Sequence, residues 1–577
     1  MKYIVASAWP YSDYIPHLGT VLHLLSADVY SRYLKLMGND VIFVTGSDEH
    51  GTPIELEARK RKVNPKELTD QVHEYNLKLF EEFNFNFSLY SRTESVVHKN
   101  FVKEFLLNLY NKGYIFPLEE ELPYCPNDKM FLPDRYVVGT CPYCGFPDAK
   151  GDQCDNCGRL LSPKDLINPR CALCGAVPEW RKTINYFIDL TKVQDRLLNW
   201  LVNNNELPDN VKNYSISWLK HGLKPRSVTR DIPWGIESPF PESSGKTIYV
   251  WFDALLGYLS ATKEYLISIG KNEDEWKKYW EDQDTKSVYF IGKDNIPFHS
   301  IILPSLLIAS ENDYILPWRI NATEYLMYEG QKFSKSRKIG IWLDEALKIA
   351  PSDYWRWVLI RIRPEGGDSN FTWKEFLKII NSELNDDIGN FIYRVLSLVK
   401  TRFNNEIPMP EKLESVDRET FNAIIENANN AIKSLDEIKL KKSTDYILEI
   451  ARIGNRYLND RAPWDLVKKD IELAKGVIYI STDIIRILAE LLSPFMPKIS
   501  EKIFYQLGFD TDSNRISLND IISYRIKPNT KINKIEPLFK KLPDDFLYTL
   551  DQIIKNAKEK AEEERPCLLK DIKIIKK

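Results

Sequence analysis

Tyr3-Ile4-Val5-Ala6-Ser7-Ala8-Trp9 is an apolar, β-prone run, and Pro10 to Gly19 behind it holds two prolines and a glycine. The first reads as a buried strand and the second as a loop. Val21 to Met37 then carries apolar residues at helical spacing and stops at Gly38, a helix C-cap signal. Val41 to Thr45 is a second short apolar run, and Gly46-Ser47-Asp48-Glu49-His50-Gly51 after it is polar. Strand, loop, helix, strand and polar loop in that order describe a doubly wound α/β domain. Ligands of such sheets bind beyond the carboxyl ends of the strands, so the 10–19 and 46–52 loops are expected side by side at a site.

Outward from there the pattern breaks near Gly113 and resumes later. Thr247 to Phe252 and Ser287 to Gly292 read as strands that each run into polar residues. The expected fold is therefore α/β with its sheet domain split by an insertion. From about Trp373 the chain reads as almost entirely helical, punctuated by Pro408, Pro410, Pro463, Pro494 and Pro497. The last thirty or so residues are charged and read as a helix with a frayed tail.

The insertion holds three Cys-x-x-Cys pairs and one Cys-x-x-Asp: Cys125/Asp128, Cys141/Cys144, Cys154/Cys157 and Cys171/Cys174. Each pair turns two ligands inward from one tight turn, half of a tetrahedral zinc site, so four pairs make two sites. With four protein ligands each, such sites leave no position for water, and the zinc expected here is structural. Seven of the eight cysteines lie in this region and Cys567 stands alone. Clustered thiolates without a secretory signal point to a reducing cytoplasm.

Composition sets broad limits. Of 577 residues, 43 % are hydrophobic and 28 % charged, with a net charge of −3. These are values of a soluble globular protein, and they place any nucleic-acid contact on a local basic patch. No apolar run is long enough to span a membrane.

Two segments suggest phosphate chemistry. Pro16-His17-Leu18-Gly19-Thr20 follows the first strand and opens a helix, whose free N–H groups favour phosphate. Taken alone such a segment is more often a turn with a satisfied histidine. Lys332-Phe333-Ser334-Lys335-Ser336-Arg337-Lys338 is flanked by Gly330 and Gly340. Its lysines could close over a polyphosphate, or it could be a solvated basic loop.

Together the two segments resemble the HIGH and KMSKS signatures of class I aminoacyl-tRNA synthetases. The resemblance sharpens to the methionyl-tRNA synthetases through Trp9-Pro10-Tyr11, Gly46 to Pro53, Met130 to Arg135, Tyr249 to Ala254, Phe290 to Asp294 with Phe298-His299, and Arg461-Ala462-Pro463-Trp464. Departures are Thr20 for a second histidine, Phe333 for methionine, Leu255 for a bacterial proline and Asp128 for a knuckle cysteine.

The resemblance implies a split Rossmann-type catalytic domain with a zinc-knuckle insertion, followed by an all-α anticodon-binding bundle. The expected boundaries are 1–115 and 225–320 for the two catalytic halves, 116–224 for the insertion, 321–372 for the KMSKS-like loop and linking domain, 373–545 for the bundle and 546–577 for a tail. It implies methionine activation by ATP, followed by transfer to tRNA(Met). His17, Lys332 and Lys335 would be catalytic. Gly19, Thr20, Gly292, Lys293, Asp294 and Ser334 would join them around ATP, with Mg²⁺ arriving on the nucleotide. Trp9, Tyr11, Asp48, Trp251, Tyr258, Phe298 and His299 would hold methionine. Cys141, Cys144, Cys154 and Cys157 would share one zinc, and Cys125, Asp128, Cys171 and Cys174 a second. Asn390, Arg394 and Trp464 would read the anticodon. A monomer is expected, aided by a separate tRNA-binding protein. Other class I synthetases are the nearest rivals: branched-chain enzymes carry a larger editing insertion, and a cysteine enzyme would place zinc in the catalytic strands. A non-catalytic zinc-ribbon RNA binder would have no need of both signature segments.

Overall fold

Five parallel strands carry the site. β1 (Lys2–Ser7) is central, with β2 (Asp40–Ser47) and β3 (Leu89–Arg92) on one side and β4 (Lys286–Gly292) and β5 (Arg319–Thr323) on the other. Val5 pairs with Phe43 of β2 and Val288 of β4. The strand order reverses between β1 and β4, so a crevice opens beyond their carboxyl ends. The computed structural model describes residues 1–570 except 152, 153, 155, 158, 160, 336, 510–517 and 522. Ser336 of the lysine-bearing segment and residues 571–577 of the expected tail lie outside the described residues.

β1 and β2 are apolar because both faces are covered. α1 (Leu18–Leu36) starts where His17 Nδ1 accepts the Thr20 N–H at 3.2 Å, and Gly38 follows its end with φ +78°. The helix thereby fixes His17 at the mouth of the crevice.

The second half of the sheet domain differs from expectation. Thr247–Ile248 is only a two-residue strand, and α2 (Val250–Ser268) begins immediately after it. This helix buries Phe252, Leu255, Leu256 and Leu259 on several sides, so no alternation of polar and apolar residues marks it as helical.

The insertion is an antiparallel ribbon, Ile115–Cys125 with Glu179–Ile188, tipped by a small sheet of Val137–Thr140, Ala149–Lys150 and Ile167–Cys171. Its buried cluster is small and includes four of the cysteines. A core this small needs a staple of some kind.

Helices from Trp373 to Gln506 form the second layer. Arg356 fastens them to the sheet domain. Fully buried, it donates to Asp28 Oδ2 of α1 (2.6 Å) and to the carbonyls of Phe495 (2.8 Å) and Pro494 (3.0 Å). Among the described residues no helix is long and apolar enough to cross a membrane.

The chain after Gln506 departs from the expected helical pattern. Apart from the short turn Leu518–Asp520, the described residues up to Thr549 are not helical, and Pro528, Pro537 and Pro543 explain part of this. The terminal helix Leu550–Glu564 stands where a helix was expected. Arg565 behind it is 6 % exposed, and it donates to Asp344 Oδ2 (2.7 Å), Glu345 Oε1 (3.2 Å) and the Tyr14 hydroxyl (2.9 Å). Removing one partner of a buried ion pair strands the other, at a cost of about 3 kcal/mol. Arg565→Ala should lower stability by that order in urea unfolding and expose the 550–570 segment to limited proteolysis. Unchanged stability and resistance would contradict the assignment.

Candidate active site and accessory sites

The loop after β1, the loop after β2, the start of α2 and the segment around Lys335 enclose one cavity of about 330 Å³. His17 and Lys335, 318 positions apart by their numbers, both line it, together with Trp9, Tyr11, Asp48, Trp251, Tyr258 and His299. The two phosphate-type segments therefore meet at one crevice.

They also touch directly. The Phe333 ring stacks on the His17 imidazole, with centroids 4.7 Å apart and planes 13° apart. Glycines make room for that ring: a Cβ on Gly340 would lie 2.4 Å from Phe333 Cδ1, and one on Gly19 would lie 3.2 Å from Cδ2. Lys335 forms an ion pair with Asp13 of the loop after β1. Leu18 N–H donates to Ile341 O and Leu343 N–H to Pro16 O, stitching the same two segments through their backbones.

His17 is held neutral. Burial, then the Lys335 and His23 charges, lower its pKa to about 3. Since Nδ1 accepts the Thr20 N–H, the proton sits on Nε2, where it can be donated to an anion. Thr20 contributes that backbone group and lines the cavity.

The apolar end is a box of aromatic rings. Trp9 stands edge-on to Tyr258 (6.4 Å, 87°), and Trp251 stacks on Phe298 at 3.6 Å. Phe298 backs that wall without lining the cavity. Gly46 and Gly257 let Trp9 lie flat, since a Cβ on either would come within 2.7 Å of its ring. Tyr258 donates to His299 Nε2 at 2.7 Å, and His299 Nδ1 donates to Asn295 O at 3.0 Å. Burial lowers His299 to about 4, which keeps it neutral.

Asp48 is the one acid in this box. It is 3 % exposed, and its Oδ1 has no hydrogen-bond partner. Burial first and Asp253 second push its pKa well above the usual carboxylate range. A buried carboxylate oxygen without a hydrogen-bond partner, facing a cavity, calls for a cationic ligand.

The remaining nucleotide candidates gather a little apart. Lys332 lies over the Tyr325 ring at 4.4 Å and Lys293 at 3.9 Å. Lys293 also pairs with Glu324 (2.6 Å) and Asp368 (3.0 Å), and the Tyr325 hydroxyl donates to Asp294 at 2.5 Å. None of these lines the cavity, nor does Gly292, which abuts His23, or Ser334, whose hydroxyl accepts from Arg337 N–H. Sequence reading missed Asp13, His23, Tyr325 and Asn295. Only Asp13 carried a signal, as the single acid in the loop before His17.

In the insertion the ligand atoms of each expected set lie within 4.8 Å of one another. Cys141 and Cys157 Sγ are 3.9 Å apart, and Cys144 and Cys154 Sγ are 3.6 Å apart. These are too long for disulfides and close to the ~3.8 Å edge of a tetrahedron with 2.3 Å metal–sulfur bonds. In the second set Asp128 Oδ2 is 3.1 Å from both Cys125 and Cys171 Sγ, and Cys174 Sγ is 3.4 Å from Cys125 Sγ.

A separate polar groove on the helical layer is lined by Asp386, Asp387, Asn390, Arg394, Arg452, Asn455, Arg456 and Asn459. Arg394 donates to Asn459 Oδ1 (2.8 Å) and lies 5.4 Å from the centre of the Trp464 ring, which is 36 % exposed. Arg452, Asn455, Arg456 and Asn459 form a polar stripe at helical spacing, a signal the sequence reading passed over.

A family model described as tRNA synthetases class I (M) matches residues 3–396, and one described as the anticodon binding domain of methionyl tRNA ligase matches residues 407–554. The chain is 56 % identical to methionine–tRNA ligase of Aeropyrum pernix, over 99 % of this chain and 100 % of that one. It is 53 % identical to the corresponding ligase of Ignicoccus hospitalis, over 98 % and 100 %. Mycobacterium tuberculosis methionyl-tRNA synthetase, solved with methionyl-adenylate bound, superposes with a TM-score of 0.78 at 23 % identity, covering 94 % of this chain and 100 % of that one. At that identity the likeness is one of fold.

Proposed function

Since the chain belongs to the methionine–tRNA ligases of class I, we propose that its amino-acid activation runs in the cavity shared by Asp48, His17 and Lys335. The enzyme activates methionine with ATP and transfers the methionyl group to tRNA(Met). The observation that carries the site assignment is the unpartnered Oδ1 of Asp48 inside an aromatic box. Asp48 takes the substrate ammonium. Trp9, Tyr11, Trp251, Tyr258 and His299 surround the thioether, where sulfur–aromatic contacts contribute about 0.3–1.5 kcal/mol.

The carboxylate of methionine attacks the α-phosphorus of ATP. The bond from that phosphorus to the bridging oxygen breaks, and pyrophosphate leaves with the electron pair. This chain supplies alignment and charge rather than covalent chemistry. His17 donates from Nε2 to a phosphate oxygen. Lys335 leaves Asp13 for the departing pyrophosphate, and Lys332 follows from its place over Tyr325. Gly19 lets the base approach the backbone, with Phe333 bracing the His17 ring. Gly292, Lys293, Asp294 and Ser334 are assigned to the ribose and phosphates, and Mg²⁺ comes with the nucleotide. A terminal ribose hydroxyl of tRNA then attacks the activated carbonyl and AMP leaves.

Cys141, Cys144, Cys154 and Cys157 fit one zinc ion, and Cys125, Asp128, Cys171 and Cys174 a second. Zinc there stiffens the insertion and takes no part in the reaction. Methionine-dependent ATP–pyrophosphate exchange, run across the standard amino acids, tests the activity. Exchange that fails to favour methionine would overturn it.

Asn390, Arg394 and Trp464 are assigned to the anticodon. Stacking on an aromatic ring is worth about 1–3 kcal/mol per base. Trp464→Ala should therefore slow tRNA charging at limiting tRNA by roughly 5- to 150-fold and leave pyrophosphate exchange unchanged. A parallel fall in both rates would make Trp464 structural.

A further inference from the structure

The segments Gly46–Gly51 and Tyr249–Ala254 each carry a charged residue that the reaction does not use: His50 and Asp253. They are partners. His50 Nδ1 lies 2.5 Å from Asp253 Oδ2, and His50 Nε2 lies 2.8 Å from Glu94 Oε1. Ionised carboxylates only accept, so both ring nitrogens carry protons and the imidazole is a cation. Asp253 also receives His98 Nε2 at 2.5 Å. His50 and Asp253 are at most 1 % exposed, and Glu94 has Lys99 as a further partner at 3.3 Å.

This chain stands directly behind the methionine box. Asp253 belongs to the turn of α2 that presents Trp251, Ala254 and Leu255 to the cavity, and the His98 ring lies 5.9 Å from Trp9. His50 is two residues from Asp48. After burial, the two strongest influences on Asp48 are opposed: the Asp253 charge disfavours its ionised form and the His50 charge favours it. The neighbouring acid Glu49 has its own cation, Arg92, at 2.9 Å.

We infer that His50, clamped between Asp253 and Glu94, is a positioning residue for amino-acid recognition: its positive charge offsets the carboxylates behind the wall and favours the ionised form of Asp48 that pairs with the substrate ammonium. Two carboxylates in a shared dry site cannot both stay charged without such a cation. The inference rests on Asp48 being the ammonium partner.

The test compares the affinity of the full-length enzyme for methionine with its affinity for the deamino analogue, in which hydrogen replaces the ammonium group. Wild type should prefer methionine. H50Q should lose that preference by about tenfold or more, as expected for a charged hydrogen bond, with analogue affinity nearly unchanged. H50Q/D253N, which removes one charge of each sign, should regain much of it. A structural role would weaken both ligands together and would not be rescued by the second change. If H50Q is unstable, the double variant decides alone: a preference near that of wild type supports the inference, and one as low as that of D48N overturns it. D48N separates the two claims. If D48N keeps the preference, the reading of Asp48 fails. If D48N loses it while H50Q keeps it, only the role of His50 fails.

Discussion

Lys335→Ala should lower ATP–pyrophosphate exchange about 100- to 1,000-fold, the loss typical of removing one preorganised group aimed at developing charge. Methionine affinity should not change. The reason is spatial: Lys335 stands on the cavity wall with His17, while the aromatic box proposed for methionine is built by the loops after β1 and β2 and by α2. In the free enzyme Lys335 is held by Asp13. That pair is partly exposed and worth little by itself, so its loss should leave the fold intact. Lys332→Ala should cost less, because Lys332 rests over Tyr325 outside the wall. Measuring exchange rates beside direct methionine titration decides the matter. Equal losses in both quantities for Lys335→Ala would refute its role in the transition state.

Metal removal should produce the largest loss of structure. Structural zinc sites in small domains contribute apparent free energies of about 10–16 kcal/mol, and four of the ten residues in the small buried cluster of the insertion are the ligand cysteines. Wild-type enzyme should carry two zinc ions per chain. Asp128→Ala should carry one, since its oxygen is the only non-sulfur ligand of the second set. Cys141→Ser should release the other and make the insertion protease-sensitive. Charging should fall far more than exchange, because the parallel sheet has its own core. A single metal in wild type would remove the second site. None, with the ribbon still protease-resistant, would remove both.

How far the residues announced this structure depends on the distance between partners. β1, α1 and β2 were legible because each is defined by its neighbours in sequence: an apolar run, a 3.6-residue period, a terminal glycine. The knuckles were legible for the same reason. α2 was misread because burial on several sides erases the period that would mark a helix. Lys335 could be assigned to phosphate from its motif, but its partner Asp13 is 322 positions away and no local pattern reports it. Arg565 looked like one more charge in a polar tail. Its buried acids lie 221 and 220 positions away, and only the folded chain shows them together. At the groove, Asn390 and Arg394 were found as a one-turn pair, whereas the opposite wall, Arg452 to Asn459, was passed over within a stretch read only as helical.

The Arg565 clasp has a consequence for biogenesis. Tyr14 leaves the ribosome early, but its partner is 551 residues downstream. At roughly 5–20 residues per second, on the order of a minute of translation separates them. The catalytic mouth has all its segments only once Lys335 has been made, and it stays unfastened until Arg565 follows; a nascent chain stalled between the two would lack the clasp.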